Sequence, residues 1–270
     1  MRRIPPIVLL ALLSGCHGRT APPAPPAAAL ASAASVTASP LCDGVEVESI
    51  APAGLSRRAL DVDPFRAEAR LVFQAASSPV TVHLVVRVHD GLEAARGAVS
   101  DARALAARPL AGAPGLPPGC IAAVDERGRV TFAALASKNV SCTARLVVGD
   151  VGDVDGAVDD APLRAAVAAF VEAVSRSPSG PPAPPRVAIP AQACVVGATV
   201  LRVEIDAAGP PAAFFAYEAE GASLIPSDLG PTLYASGPGT VTLRVAAATS
   251  RLGSCVIEAP VVVVAPGSRR

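Results

Sequence analysis

Between residues 80 and 89 the chain alternates. Val80, Val82, Leu84, Val86 and Val88 fall on one side, and Thr81, His83, Arg87 and His89 share the other with Val85. A period of two is the pattern of a half-buried strand. The run before it, Glu68–Ala75, sets Ala69, Leu71 and Phe73 against Glu68, Arg70 and Gln74. Ser77-Ser78-Pro79 breaks the pattern, so the two runs predict a hairpin. Asp63-Pro64 would also suit a helix start for the first run, but the alternation favours the strand. Val45–Ile50 predicts a short strand upstream. Cys120–Val124, Arg129–Leu135 and Val140–Val148 predict a meander that turns at Glu126-Arg127-Gly128.

Two segments read as helices instead. Leu92–Ala107 is rich in Ala, Leu and Arg, all strong helix formers. The second begins around Pro162, behind Asp159 and Asp160, and places Leu163, Val167, Phe170, Val171 and Val174 on one stripe. Proline suits a first helical turn, and acids suit its positive end. Residues 41–175 therefore predict an α+β domain, an antiparallel sheet with helices packed on one face.

Beyond it the pattern changes. Residues 176–185, within the run SRSPSGPPAPP, read as an extended Pro-rich linker. Residues 186–266 carry only strand signals, at Val195–Ile205, Phe214–Ala219, Thr232–Ala235, Thr240–Ala246 and Val256–Val264, with Gly and Pro between them. Short strands at this spacing predict a β-sandwich. Residues 267–270 form a tail. The stretches Val196-Gly197-Ala198-Thr199-Val200-Leu201-Arg202-Val203 and Gly237-Pro238-Gly239-Thr240-Val241-Thr242-Leu243-Arg244-Val245, with the closing Val261-Val262-Val263-Val264, resemble strands of bacterial immunoglobulin-like and PKD-type domains. The resemblance implies an Ig-like fold used as a spacer or adhesive module. The aromatic-acidic-glycine centre of PKD domains is replaced here by Ala216-Tyr217-Glu218-Ala219-Glu220-Gly221.

The N-terminus reads as an address. Arg2 and Arg3 precede an apolar run from Ile4 to Leu13, too short to span a bilayer and of the length of a secretory signal. Leu13-Ser14-Gly15-Cys16 follows and resembles the bacterial lipobox. That resemblance implies a signal peptide over residues 1–15, diacylglyceryl (with palmitate-type chains) on Cys16, and a membrane anchor. Residue 17 is His rather than Asp, which by the same resemblance points to the outer membrane in an organism that has one. Residues 16–40, Pro-rich and then Ala/Ser-rich, read as a disordered tether.

Charge and chemistry narrow the function. Basic and acidic residues balance at 23 each, so no basic field gathers phosphates, and nucleic acid is not an expected partner. The sole lysine and sole asparagine, Lys138 and Asn139, are adjacent. With Cys16 lipidated, Cys42, Cys120, Cys142, Cys194 and Cys255 remain, an odd number. In an oxidising compartment Cys194 with Cys255 is the favoured disulfide. Cys120 with Cys142 is favoured in the first domain, with Cys42 to either left open. No zinc spacing occurs. His83 and His89 read as parts of a solvated strand face. Asp150, Asp153 and Asp155, with Asp159 and Asp160, are the sole metal candidates, for calcium, and the run fails the EF-hand pattern at its first and twelfth positions. No cofactor is implied, and no G-x-S-x-G, H-E-x-x-H, P-loop or G-x-G-x-x-G motif occurs. Phe214, Phe215, Tyr217 and Tyr234 offer a sugar-stacking platform, although alternation sends half of such a set into the core. The expectation is a cell-envelope lipoprotein, a non-enzymatic binding or scaffolding module for an envelope protein or wall polysaccharide. The alternatives are a hydrolase or carbohydrate-processing enzyme with its site in residues 41–175, and a structural spacer.

Overall fold

A computed structural model describes residues 41–76, 78–104, 109–111, 113–149, 159–226 and 230–267. The signal, Cys16, the tether and the acids Asp150, Asp153 and Asp155 lie outside the described residues. The described residues are predominantly β, with two α-helices and sheets that are antiparallel save for one parallel pair. No helix among the described residues is long and apolar enough to cross a membrane.

Strands β1 (Leu55–Asp63), β2 (Glu68–Ala75) and β3 (Val80–Val88) form one meander. Helix α1 (Leu92–Ala104) and the short β4 (Pro109–Ala111) follow. Strands β5 (Ile121–Val124), β6 (Val130–Ser137) and β7 (Val140–Val148) form a second meander, and helix α2 (Ala161–Arg176) comes after it. The meanders join because β7 pairs with β3, Ala144 opposite Leu84, giving one seven-stranded antiparallel sheet ordered β1-β2-β3-β7-β6-β5-β4. The alternation of β3 is realised in full: Val82, Leu84 and Val86 are buried with Ala69, Leu71 and Phe73 of β2. The α2 stripe, Leu163, Val167, Phe170 and Val174, packs into the same core. Each such side chain contributes about 1.5–3 kcal/mol on leaving water.

Three local expectations change. Val45–Ile50 is not a strand: Val47–Ser49 is a 3-10 turn, and the N–H groups of Val45 and Val47 donate to the carbonyls of Arg251 and Ser250. The apolar residues were destined for burial, but their backbone partners come from the far end of the chain. β1 escaped the sequence pattern because its residues Ser56 to Ala59 are all exposed and a bulge interrupts its register there. The helices also do not form one layer. α1 lies along β6 and β7 but buries Ala95 and Val99 outside the main core. The buried residues on that pleat, opposite to Leu135 and Cys142, are Ala134 and Ser141, small enough to admit a helix.

Lys138 and Asn139 form the two-residue turn between β6 and β7, Lys138 at φ 53. Lys138 Nζ donates to the carbonyls of Val174 and Ser177, 3.3 Å each, placing a cation at the negative end of α2. Buried Asn139 ties in the entering chain through Cys42 and the end of β3 through the carbonyl of His89, at 3.0 Å. At the other end of α2, the Asp160 carboxylate accepts from the N–H of Val130 at 2.9 Å and is gripped by Arg164, which holds its carboxyl below the usual range.

The second half comprises β8 (Val187–Ala188), β9 (Ala193–Val195), β10 (Gly197–Val200), β11 (Glu204–Ile205), β12 (Phe214–Glu220), β13 (Ser223–Ile225), β14 (Thr232–Ala235), β15 (Gly239–Ala248) and β16 (Ser254–Val264). They form sheets ordered β12-β15-β16-β9, β10-β14-β13 and β11-β8. The expected strand Val195–Ile205 is broken into pieces, because β9 pairs with β16 while β10 pairs with β14. A second core, including Cys194, Leu201, Leu233, Leu243, Val245 and Val263, draws on both of the larger sheets.

The two cores belong to one compact unit that takes in all the described residues. The turn between β15 and β16 joins them. Leu252, at φ 64 and 0 % exposed, inserts into the first core, a left-handed conformation held by burial of its side chain. Arg251 pairs with Asp43, and Ser250 Oγ donates to Glu46 at 3.0 Å. Beside them, residues 176–185 are not a free linker. Cys42 bridges to Ser179, the N–H of Gly180 donates to Leu41 and that of Asp43 to Pro178. The proline-rich composition does impose extended backbone, and here that backbone finds partners.

Candidate binding site

The break between β10 and β11 opens the second half. Leu201 is pinned by its N–H to the carbonyl of Pro231 at 2.9 Å. At Arg202 the side chain of Gln192 takes the place of a neighbouring strand: Oε1 accepts from the Arg202 N–H at 2.9 Å and Nε2 donates to its carbonyl at 3.1 Å. The segment is thus held by a side chain rather than a ladder, and a cleft of about 610 Å³ lies between it and β12.

Phe215 and Tyr217 line that cleft together because residues two apart on a strand share a face. Their rings are parallel within 6°, with centroids 6.2 Å apart. Leu201, Val203 and Pro231 complete the apolar lining, and Arg202 and Glu204 stand exposed at its rim. Among the described residues, neither of these two side chains has an ion-pair or hydrogen-bond partner. The other described arginines of this half are engaged: Arg186 with Asp206 at 3.6 Å, Arg244 with Glu218 and Glu258 at 2.6 and 2.7 Å, Arg251 with Asp43. Burial pushes the Tyr217 hydroxyl above the usual phenol value, so it is a donor at neutral pH. A smaller hollow of about 300 Å³ adjoins on the far side of the same segment, sharing Arg202 and Glu204 and adding Gln192 and Thr199.

Of the four aromatics expected as a platform, the cleft takes two. Phe214 faces the other way and packs against the first core. Tyr234 lies on β14, half-exposed, and is not in the cleft lining. Arg202, Glu204 and Gln192 were not legible as site residues, since they lie in or beside what reads as one continuous strand.

The cysteines do not pair as expected. The first and last long segments of the second half do lie side by side, but Cys194 is in register with Val263 and Cys255 with Ala247. Eight residues of strand, roughly 26 Å at ~3.3 Å each, separate the two along β16, beyond any disulfide. Cys120 and Cys142 both face the first core, flanking Leu135 from the two neighbouring strands. Two strand spacings, about 9.5 Å, are too wide for the bond. Cys42, Cys120, Cys142, Cys194 and Cys255 are free thiols. Burial pushes the Cys120 thiol up to about 11, and Cys142 is raised further, by burial first and then by the charge of Cys120 across β6.

His83 is exposed, on the solvated face of β3. His89 is not: it is half-buried, with Nε2 2.8 Å from Ser141 Oγ. A histidine bonded to a serine hydroxyl is the first geometric requirement of a nucleophilic pair, but Ser141 is only 7 % exposed, beneath the α1 side of the sheet, and does not line the small hollow that His89 and Asp90 border. The hydroxyl is therefore buried rather than set in that hollow. Among the described residues no group of three or more His, Cys, Asp or Glu is placed to hold a metal ion.

No protein-family model matches the chain, and no curated protein matches it either.

Proposed function

We propose that the chain is a non-enzymatic binding module of the bacterial cell envelope, anchored through lipid on Cys16 and engaging its ligand at the cleft between β12 and residues 201–203. The open cleft lined by Phe215 and Tyr217, with uncommitted Arg202 and Glu204 at its rim, carries this reading. In it, the seven-stranded sheet and its helices act as an α+β platform. The sheets around the second core act as an Ig-like sandwich, supported by the way β10-β14-β13 and β12-β15-β16-β9 share one core. The partner is an envelope polymer or protein, and the membrane is met only through the acyl chains. Several chains, each contributing ~0.8 kcal/mol per buried CH₂, make such anchoring near-permanent.

Two measurements in cells test it. Labelled palmitate should enter the wild type and not Cys16→Ser. A photo-crosslinking residue at Val200, exposed on the cleft rim, should capture an envelope component that the same residue at Arg96, on α1, does not. Equal labelling of both chains would remove the anchor, and equal capture at both positions would remove the cleft.

A further inference from the structure

We infer that the cleft takes a neutral saccharide, with a sugar face laid against Tyr217 and Phe215 and its hydroxyls bridged between Arg202 and Glu204. The inference rests on the cleft being the binding site. Its volume, about 610 Å³, is within the roughly 300–1,000 Å³ typical of small-molecule sites and leaves room for more than one sugar ring. The apolar C–H face of a pyranose complements a π-surface, and Tyr217 and Phe215, parallel within 6° on one strand, both line the cleft.

The polar groups select within that class. One cation and one anion, neither partnered among the described residues, flank the same opening. An anionic ligand would meet Glu204 and a cationic one Arg202, whereas a polyol uses both: the guanidinium donates two N–H groups to neighbouring hydroxyl oxygens, and the carboxylate accepts from others. The Tyr217 hydroxyl, with no hydrogen-bond partner among the described residues, adds a donor that a purely hydrocarbon ligand would bury unpaired. A peptide adding as a strand along residues 201–202 finds no ladder there, because the N–H of Leu201 and both backbone groups of Arg202 are already bonded.

The chain has two tyrosines and no tryptophan, so tyrosine emission reports on the cleft directly. The full chain in detergent is titrated with a β-1,4-linked glucose disaccharide, its N-acetylated counterpart, an apolar fluorescent dye and a Val-Thr alternating peptide. A disaccharide should perturb the emission saturably. Arg202→Ala and Glu204→Gln, both surface changes, should each weaken binding roughly tenfold and Tyr234→Phe not at all; Tyr217→Phe, which removes the reporting ring and is titrated by calorimetry instead, should weaken it by less. Saccharide binding indifferent to Arg202 and Glu204 would overturn the assignment. Dye or peptide binding that depends on Tyr217, without saccharide binding, would overturn it while leaving the binding-module reading intact. No binding by any probe, together with no selective capture at Val200, would end both.

Discussion

The side chain of Asn139 accepts a hydrogen bond from the N–H of Cys42 at 2.7 Å and returns one to the carbonyl of the same residue at 3.2 Å. A third bond, to the carbonyl of His89, makes this amide the meeting point of the entering chain, the end of β3 and the β6–β7 turn. Asn139→Ala would leave the Cys42 N–H and the His89 carbonyl without that partner in a buried place. The expected cost is about 2–3 kcal/mol, since each unsatisfied buried group costs about 1–3 kcal/mol. A lowered urea midpoint at unchanged slope would show it; an unchanged midpoint would mean that water replaces the amide.

Gly253 makes a second prediction. A Cβ built there would sit 2.4 Å from the carbonyl oxygen of Ala183, in the docked Pro-rich segment. Gly253→Ala should therefore cost about 1–3 kcal/mol through overpacking and pry residues 178–184 loose. Limited proteolysis should find wild-type residues 176–185 resistant and the variant cut there first. Early cutting of the wild type would mean that the strap is not docked.

The thiols give a third. Alkylation of the denatured, unreduced chain should modify Cys42, Cys120, Cys142, Cys194 and Cys255, and peptide mapping should yield no Cys194–Cys255 pair. In the folded state the reaction should be slow even at alkaline pH, because the thiolate is the reactive form. The raised folded values also destabilise at high pH. Below the ordinary thiol value of 9.0 both states hold their protons. Above it the unfolded chain ionises and the fold does not, so stability falls as pH rises toward the folded value, about 11 at Cys120.

His89 gives the opposite sign. Burial, then Arg87, depress it below the ordinary 6.5. The stability linked to its neutral form is present above 6.5 and is lost as pH falls through the folded value, because the unfolded chain then binds the proton more tightly. His89→Gln should flatten the acid limb of a stability profile measured from pH 7.5 to 5. A serine-directed fluorophosphonate should leave Ser141 unlabelled in the folded chain; labelling would revive the hydrolase reading.

Where a side-chain period ran uninterrupted, the sequence was readable. β2, β7 and β14 have the boundaries their alternation predicts, and α2 buries the stripe it displays. Segments whose partners lie far along the chain were not readable. Val45–Ile50 looked like a strand because its apolar residues are buried, yet its N–H groups bond the β15–β16 turn. The cleft was half visible: Phe215 and Tyr217 share a face by spacing alone, but their opposition to Arg202 and Glu204 depends on Gln192 replacing a strand, which no local pattern announces.

Leu252 completes a core whose other members are laid down long before it. Its neighbour Arg251 follows Asp43 by 208 residues, so a ribosome has made every other strand except β16 before the first hydrophobic cluster receives its last side chain. Until then the nascent first half carries an open apolar socket, along with the unpaired backbone of residues 45–47. The C-terminal hairpin of β15 and β16 is therefore the element whose arrival closes both cores at once.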